Sequence, residues 1–411
     1  MVSLLMVGAG ARGTTFADWA RRHPSDARVV AVADPRAVRR DRLGDVHGVP
    51  SGRRFAGWRE AAEAGRVADA AVIATLDRDH LEPALALAAQ GYALLIEKPL
   101  APSEAECVTI AEACERAGVV AAVAHVLRYT PYTRLVRRLL EAGAAGEIVH
   151  VEHLEPVGFW HQAHSYVRGN WRREDETGPM LLAKCCHDLD WLAHLVGRPC
   201  TAVSSFGALT YLRPEHRPDG AADRCLDCAL EPGCAWSAKR LYLGMAERGE
   251  DDWPVEVVAW PPTPANVERA LLDGPYGRCV WACDNDVVDH QVVALQFGPD
   301  VTASLTMTAF TRMRERETRI FGTHGELRGD GAGVDVYDFA SGRTTHHPVE
   351  EEISSRHGGG DDGVMAAFVA AAAAGDPALV PTSPAETLAS HRMAFAAETA
   401  RREGRVVALA G

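Results

Sequence analysis

The stretch from Val2 to Gly13 constrains this chain more than any other. An apolar run, Val-Ser-Leu-Leu-Met-Val, breaks into Gly8-Ala9-Gly10-Ala11-Arg12-Gly13 and continues into Thr14 to Arg22. The pattern predicts a buried strand, a tight turn and a helix start. In that setting the first glycine permits the turn, the second lets backbone approach a pyrophosphate, and the third lets the helix pack closely on the strand. Unpaired N–H groups and the helix dipole then favour phosphate at the turn. A second apolar strand, Arg28 to Ala33, ends in Asp34, twenty-one residues after Gly13. An acidic side chain there accepts hydrogen bonds from an adenosine ribose and repels a 2′-phosphate, so the combination predicts a dinucleotide site.

The alternation continues. Asp69 to Thr75 reads as a strand, Leu81 to Ala89 as a helix closed by Gly91, and Tyr92 to Ile96 as another strand. Ser103 and Glu106 stand in capping-box spacing ahead of a helix that Gly118 ends, and Val119 to Ala124 follows as a strand. Short connections of this kind predict a parallel sheet covered on both faces, one doubly wound domain over 1–125. Beyond it, Thr130-Pro131 opens an amphipathic helix to about Gly143, and Ile148 to Glu155 alternates as a strand. Val292 to Phe297 and Val301 to Met307 flank the turn Gly298-Pro299-Asp300, and Arg319 to Phe321 and Glu326 to Arg328 flank His324-Gly325. These signals predict an α+β domain, 126–363, built on one large, mostly antiparallel sheet. A terminal segment, 364–411, carries an Ala-rich helix from about Val364 and a last helix, Pro384 to Glu403. A sheet with an open face predicts a homo-oligomer, dimer or tetramer.

The 411 residues are enough for two or three domains. A formal charge of −13 argues against nucleic-acid or anionic-membrane partners, which need a basic face. No stretch reaches the length of a membrane span. The N-terminal apolar run lacks a basic leader and is already used as a strand, which gives a cytoplasmic expectation. In a reducing compartment the ten cysteines are read as thiols or metal ligands.

Three regions carry chemistry. Glu97-Lys98-Pro99 follows the fourth strand, at the carboxyl edge where open α/β sheets bind ligands. Lys98 there reaches both a nicotinamide and a substrate hydroxyl; the plainer alternative is a surface Glu–Lys pair. Lys184, His187 and Asp188 share one helical face, where Lys184 would keep the His187 imidazole neutral by like-charge repulsion and bond an alkoxide. Against this stands a Lys184–Asp188 surface ion pair beside a core histidine. The run His161 to Trp171 packs Tyr166, Arg168, Asn170 and Trp171 together, a set that suits a polyol through ring stacking and amide or guanidinium bonds. A loop with aromatic anchors needs no ligand, so both readings stay open. His125 and Arg128-Tyr129 at the domain junction are further substrate candidates. Finally, Cys225-x2-Cys228-x5-Cys234 makes half of a structural zinc site, which Cys279 or Cys283 would complete; free thiols and an iron–sulfur cluster are the alternatives.

Gly8 to Gly13, Asp34, Ala74-Thr75 followed by His80, Glu97-Lys98-Pro99, Gly178 to Asp190, Phe321 to Gly325 and the helix opened by Pro381-Thr382-Ser383 resemble the Gfo/Idh/MocA family of sugar and inositol oxidoreductases. The resemblance spans almost the whole chain, with Arg213 to about Asp284 an insertion relative to smaller members. It implies an N-terminal NAD(P)-binding Rossmann domain, a C-terminal α/β domain whose sheet builds the oligomer, and a sugar site between them. Gly8, Gly10, Ala11, Arg12, Gly13, Asp34, Thr75, His80, Glu97 and Lys98 fall on the cofactor side. The family's lysine is Lys98, before an often cis Pro99. Its pattern Asp-x-x-x-His-x-x-Asp is met by His187 and Asp190, but Ala183 stands where the aspartate belongs.

The reading that follows is an NAD-dependent oxidoreductase acting on a hydroxyl or keto group of a sugar, cyclitol or sugar derivative, with Lys98, Lys184 and His187 catalytic. NADP is not excluded, because Arg36, Arg39 and Arg40 lie near Asp34. Two alternatives use the same residues: an NAD-dependent glycoside hydrolase that oxidises its substrate transiently, and a non-catalytic dinucleotide or sugar sensor.

Overall fold

The computed structural model describes residues 1–350 and 357–409; positions 351–356 of the second expected domain and 410–411 of the terminal segment lie outside the described residues. The N-terminal apolar runs become six parallel strands: β1 (Val2–Val7), β2 (Ala27–Ala33), β3 (Arg54–Phe55), β4 (Ala70–Ile73), β5 (Ala93–Ile96) and β6 (Ala121–Val123). Their order is β3-β2-β1-β4-β5-β6, so the chain reverses direction across the sheet between β1 and β4. A crevice opens at that reversal, beyond the carboxyl ends of the strands. Strand burial is near-continuous rather than alternating, because helices cover both faces.

The second layer is a nine-stranded sheet. It contains β7 (Ile148–Pro156), β8 (Cys200–Ala208), β9 (His290–Phe297), β10 (Val301–Thr308), β11 (Glu317–Gly322), β12 (Gly325–Gly329), β13 (Gly333–Asp338), β14 (Arg343–Pro348) and β15 (Val407–Ala408). Its order is β14-β13-β12-β11-β7-β10-β9-β8-β15. All pairs are antiparallel except β7 and β10. Side chains of β9 alternate between core and outer face, as period two requires. Against the inner face lies the helix Met180–Val196, buried along most of its length.

Two helices of the terminal segment pack on these layers. The helix Pro384–Glu403 packs on Met180–Val196, on β8 and on the helix Glu104–Ala117 of the first layer. The Ala-rich helix starts at Gly360, earlier than Val364, and packs against the helix Ala11–Arg22. The glycine is needed there, since a Cβ on Gly360 would collide with the Val126 carbonyl.

The insertion is more regular than its prolines suggest. Thr263 caps a helix, Pro264–Asp273, with proline at its first position. Ala238, Tyr242, Met245, Val255, Val267 and Leu271 form a small core of its own with Cys225. The run after His161 is likewise no open loop: Gln162–Arg168 is a π-helical turn with all seven residues buried.

Candidate functional site

The glycine turn has the shape its spacing predicts. Gly8 takes φ +98°, and a Cβ there would strike the Ala74 carbonyl; one on Gly13 would strike Gly8. Gly10 caps the helix Ala11–Arg22 with no side-chain hydrogen bond, leaving the first-turn N–H groups, Ala11 and Arg12 included, without a side-chain acceptor at the cap. Asp34, buried at the end of β2, accepts from the Ala9 and Arg36 amides, both at 2.8 Å. Each carboxylate oxygen keeps a second lone pair for a ribose hydroxyl. This cradle fits a dinucleotide.

The Arg12 side chain turns to the side of the turn. It bonds Glu97 at 2.5 Å and Asp361 at 2.7 Å, residues far apart in the chain. Burial opposes its charge, but Asp361 and Glu97 outweigh burial and raise its pKa. Thr75 bonds the Asp79 carbonyl at 3.0 Å. His80 is wholly buried, with Nδ1 3.0 Å from the Pro99 carbonyl in the turn after β5 and Nε2 without a hydrogen-bond partner.

Lys98 precedes a cis proline. Its Nζ donates to the Ala183 carbonyl at 2.8 Å, across the interface between the layers, and its amide donates to Glu97 at 2.8 Å. The surface Glu–Lys pair is therefore not formed. One helical turn past Ala183 stands His187, whose Nδ1 has no partner. Burial first, then Lys98, His125, His357 and Arg316, hold His187 well below the usual histidine range, so its ring is neutral. Lys184 is not what keeps it so: the Lys184 ammonium sits 3.4 Å from Glu155. Nor does Lys184 pair with Asp188, which lies fully buried against Arg316 and His153.

His125, fully buried, has no hydrogen-bond partner on either ring nitrogen, its Nδ1 lying 4.0 Å from Asp190, and meets His187 and His391 edge-on at 5.7 and 5.6 Å. A residue the sequence did not single out, Asp77, joins the site after β4. Trp171 donates to it across the interface at 2.8 Å. Burial raises the Asp77 carboxyl to about 6, with His80 and Lys98 pulling the other way. Glu155, Arg316, His357 and Asp361 also went unseen, because nothing in their local sequence sets them apart.

The expected sugar-binding set divides between the cleft, where Trp171 donates to Asp77, and the insertion, toward which Arg168 turns. Tyr166 is buried beside Trp171, at 6.2 Å between rings, and Asn170 is exposed. Arg128 makes a bidentate pair with Asp190, both bonds 2.6 Å, and Tyr129 bonds Thr382. Arg168 faces away from the cleft into the insertion, donating to the Arg278 and Trp236 carbonyls at 2.7 and 2.8 Å. A guanidinium buried to that extent needs acceptors, and these carbonyls supply them.

Zinc is not supported. Among the described residues no three of His, Cys, Asp and Glu group so as to hold a metal ion. Cys225, Cys228, Cys234 and Cys279 instead line a cavity of about 390 Å³ with Trp236 and Trp281. The Arg168 guanidinium stands 3.6 Å from the Cys225 sulfur. Cys283 donates to the Cys279 carbonyl, and burial raises the pKa of both thiols.

Comparison with known proteins agrees with this architecture. Residues 2–125 match the model described as oxidoreductase family, NAD-binding Rossmann fold, and 137–409 match its C-terminal alpha/beta domain. The chain belongs to the Gfo/Idh/MocA oxidoreductase family. A 2,7-anhydro-N-acetylneuraminate hydratase of Escherichia coli is 26% identical, over 50% of this chain and 53% of that protein. Inositol 2-dehydrogenase 4 of Saccharopolyspora erythraea is 31% identical, over 48% of this chain and 55% of that one. The aligned part thus spans about half the length of these relatives. In fold, an oxidoreductase from Agrobacterium radiobacter, solved with NAD+, L-tartaric acid and magnesium, superimposes with a TM-score of 0.72 at 17% identity, covering 99% of this chain and 98% of that one.

Proposed function

We propose that this family member is an NAD-dependent oxidoreductase acting on a hydroxyl or keto group of a sugar, cyclitol or sugar derivative. The observation that carries the reading is Lys98, held against the Ala183 carbonyl one helical turn from a neutral His187, at the strand edge beside the glycine turn. A nicotinamide dinucleotide bound on that turn supplies the hydride acceptor or donor. His187, neutral and with a free ring nitrogen, takes the hydroxyl proton. Lys98 stabilises the oxygen on which negative charge develops. Lys184, next to Glu155, remains part of the proposal as a second donor to substrate oxygens. The test is a panel of sugars, cyclitols and glycosides scored in parallel for NADH absorbance and for release of a leaving group. Growth of NADH absorbance with one polyol supports the dehydrogenase; silence across the panel with every polyol and glycoside counts against it.

A redox-neutral reaction is the second reading. It is favoured by Asp77, an extra buried carboxyl that Trp171 ties into the cleft and whose protonated form persists to about pH 6. A relative named as a hydratase points the same way. Product release without net NADH would decide for it.

The reading includes a homo-oligomer and a cytoplasmic setting. Phe206 and Val292 are paired across β8 and β9 and stand 73% and 43% exposed on the outer face of the large sheet, a patch suited to a second copy. All ten cysteines are free thiols, and among the described residues no helix is long and apolar enough to cross a membrane. Sedimentation of the purified chain measures the subunit count.

A further inference from the structure

The cysteine-rich insertion does not stand apart from the crevice. Its Trp260 ring carries the Arg42 guanidinium at 3.3 Å from the centroid. Arg42 belongs to the helix Ala37–Val46, which follows Asp34. On the same helix Arg39 places a terminal nitrogen 3.3 Å from the point where a Gly10 Cβ would be, directly above the glycine turn. Burial and Arg36 work against the Arg39 charge, while Asp34 and two insertion residues, Tyr276 and Glu256, work for it.

Tyr276 is anchored from behind. Its ring stacks on His164 at 5.0 Å and meets Tyr242 edge-on at 5.8 Å. His164 in turn bonds the Tyr242 hydroxyl at 2.9 Å and packs on Trp253. Trp253 also contacts His161, whose ring feels the charges of Lys184 and Lys98. The insertion therefore reaches from the lysines of the cleft to the helix beside Asp34. Arg168 ties its far side through the Arg278 and Trp236 carbonyls.

We propose that the insertion forms the outer wall of the dinucleotide site: Trp260, seated on Arg42 one turn along the helix from Arg39, closes over the adenosine-ribose end and retards release of the dinucleotide. The inference rests on the proposed dinucleotide site and adds to it a second surface, from a part of the chain remote from the glycine turn. The Trp260 face pinned by the Arg42 guanidinium is held against the helix Ala37–Val46, and opening of the wall breaks that contact.

The experiment uses the full chain and needs no substrate. Equilibrium binding of NAD+ is measured first, then its release by stopped-flow displacement, for the parent and for Trp260→Ala and Arg42→Gln. Release is expected to quicken about two- to fivefold in both variants, the scale of one lost exposed cation–π contact, with melting temperatures near the parent's. Unchanged release in both Trp260→Ala and Arg42→Gln overturns the wall while leaving the dinucleotide site standing. A parent chain that binds neither NAD+ nor NADP+ overturns the site itself, and the wall with it.

Discussion

The Lys98 ammonium donates to the main-chain oxygen of Ala183 at 2.8 Å, so the catalytic candidate of one layer is held by the backbone of the other. Where the family pattern has an aspartate side chain at 183, this chain offers a carbonyl. A carbonyl orients an ammonium without neutralising it. The full positive charge therefore acts on His187 and on any oxygen in the cleft.

Replacing Lys98 by Met keeps much of the volume and removes the charge. Turnover should fall by about a hundredfold or more, the usual scale for losing a positioned donor, while NAD+ binding stays measurable by calorimetry. A variant with full activity would remove Lys98 from the mechanism.

Asp77 should show itself in the pH profile. Its carboxyl, raised to about 6 by burial, is protonated below that pH and charged above it. The rate is expected to bend near pH 6, and Asp77→Asn should erase the bend while Trp171 keeps its partner. Persistence of the inflection in that variant would assign it to another group.

The buried histidines predict loss of stability in acid. His125 and His187 sit well below the ordinary range and His391 falls to about 3, each chiefly through burial. The unfolded chain takes up these protons as pH drops below about 6.5, while the native chain refuses them. Stability therefore declines as pH falls through that window, by up to about 1.4 kcal/mol per pH unit for each group. Melting temperatures from pH 8 to 5 check this; a flat profile contradicts it.

Arg168→Met should act on folding rather than on affinity. It leaves the Arg278 and Trp236 carbonyls without their donor, a loss of about 1–3 kcal/mol for each buried acceptor left unpaired. Denaturant melts should shift, with KM for the substrate nearly unchanged. A raised KM at constant stability would restore Arg168 to the substrate site.

Much of the architecture could be read from the sequence because its signals are local. The glycines at 8, 10 and 13 act within one turn, Asp34 sits at the end of one strand, and period-two alternation around Gly298 marks a hairpin. Side-chain partners are another matter. Arg12 finds Asp361, Trp171 finds Asp77, and Arg316 finds Asp188, over separations that no periodicity encodes. Arg168 and the cysteines carried the residue types of a ligand site, yet packing turned the arginine onto carbonyls beside Cys225. Local backbone preference thus determined the strands, turns and helices, whereas burial of charge, which demands whichever acceptor the folded layers bring near, decided the composition of the site.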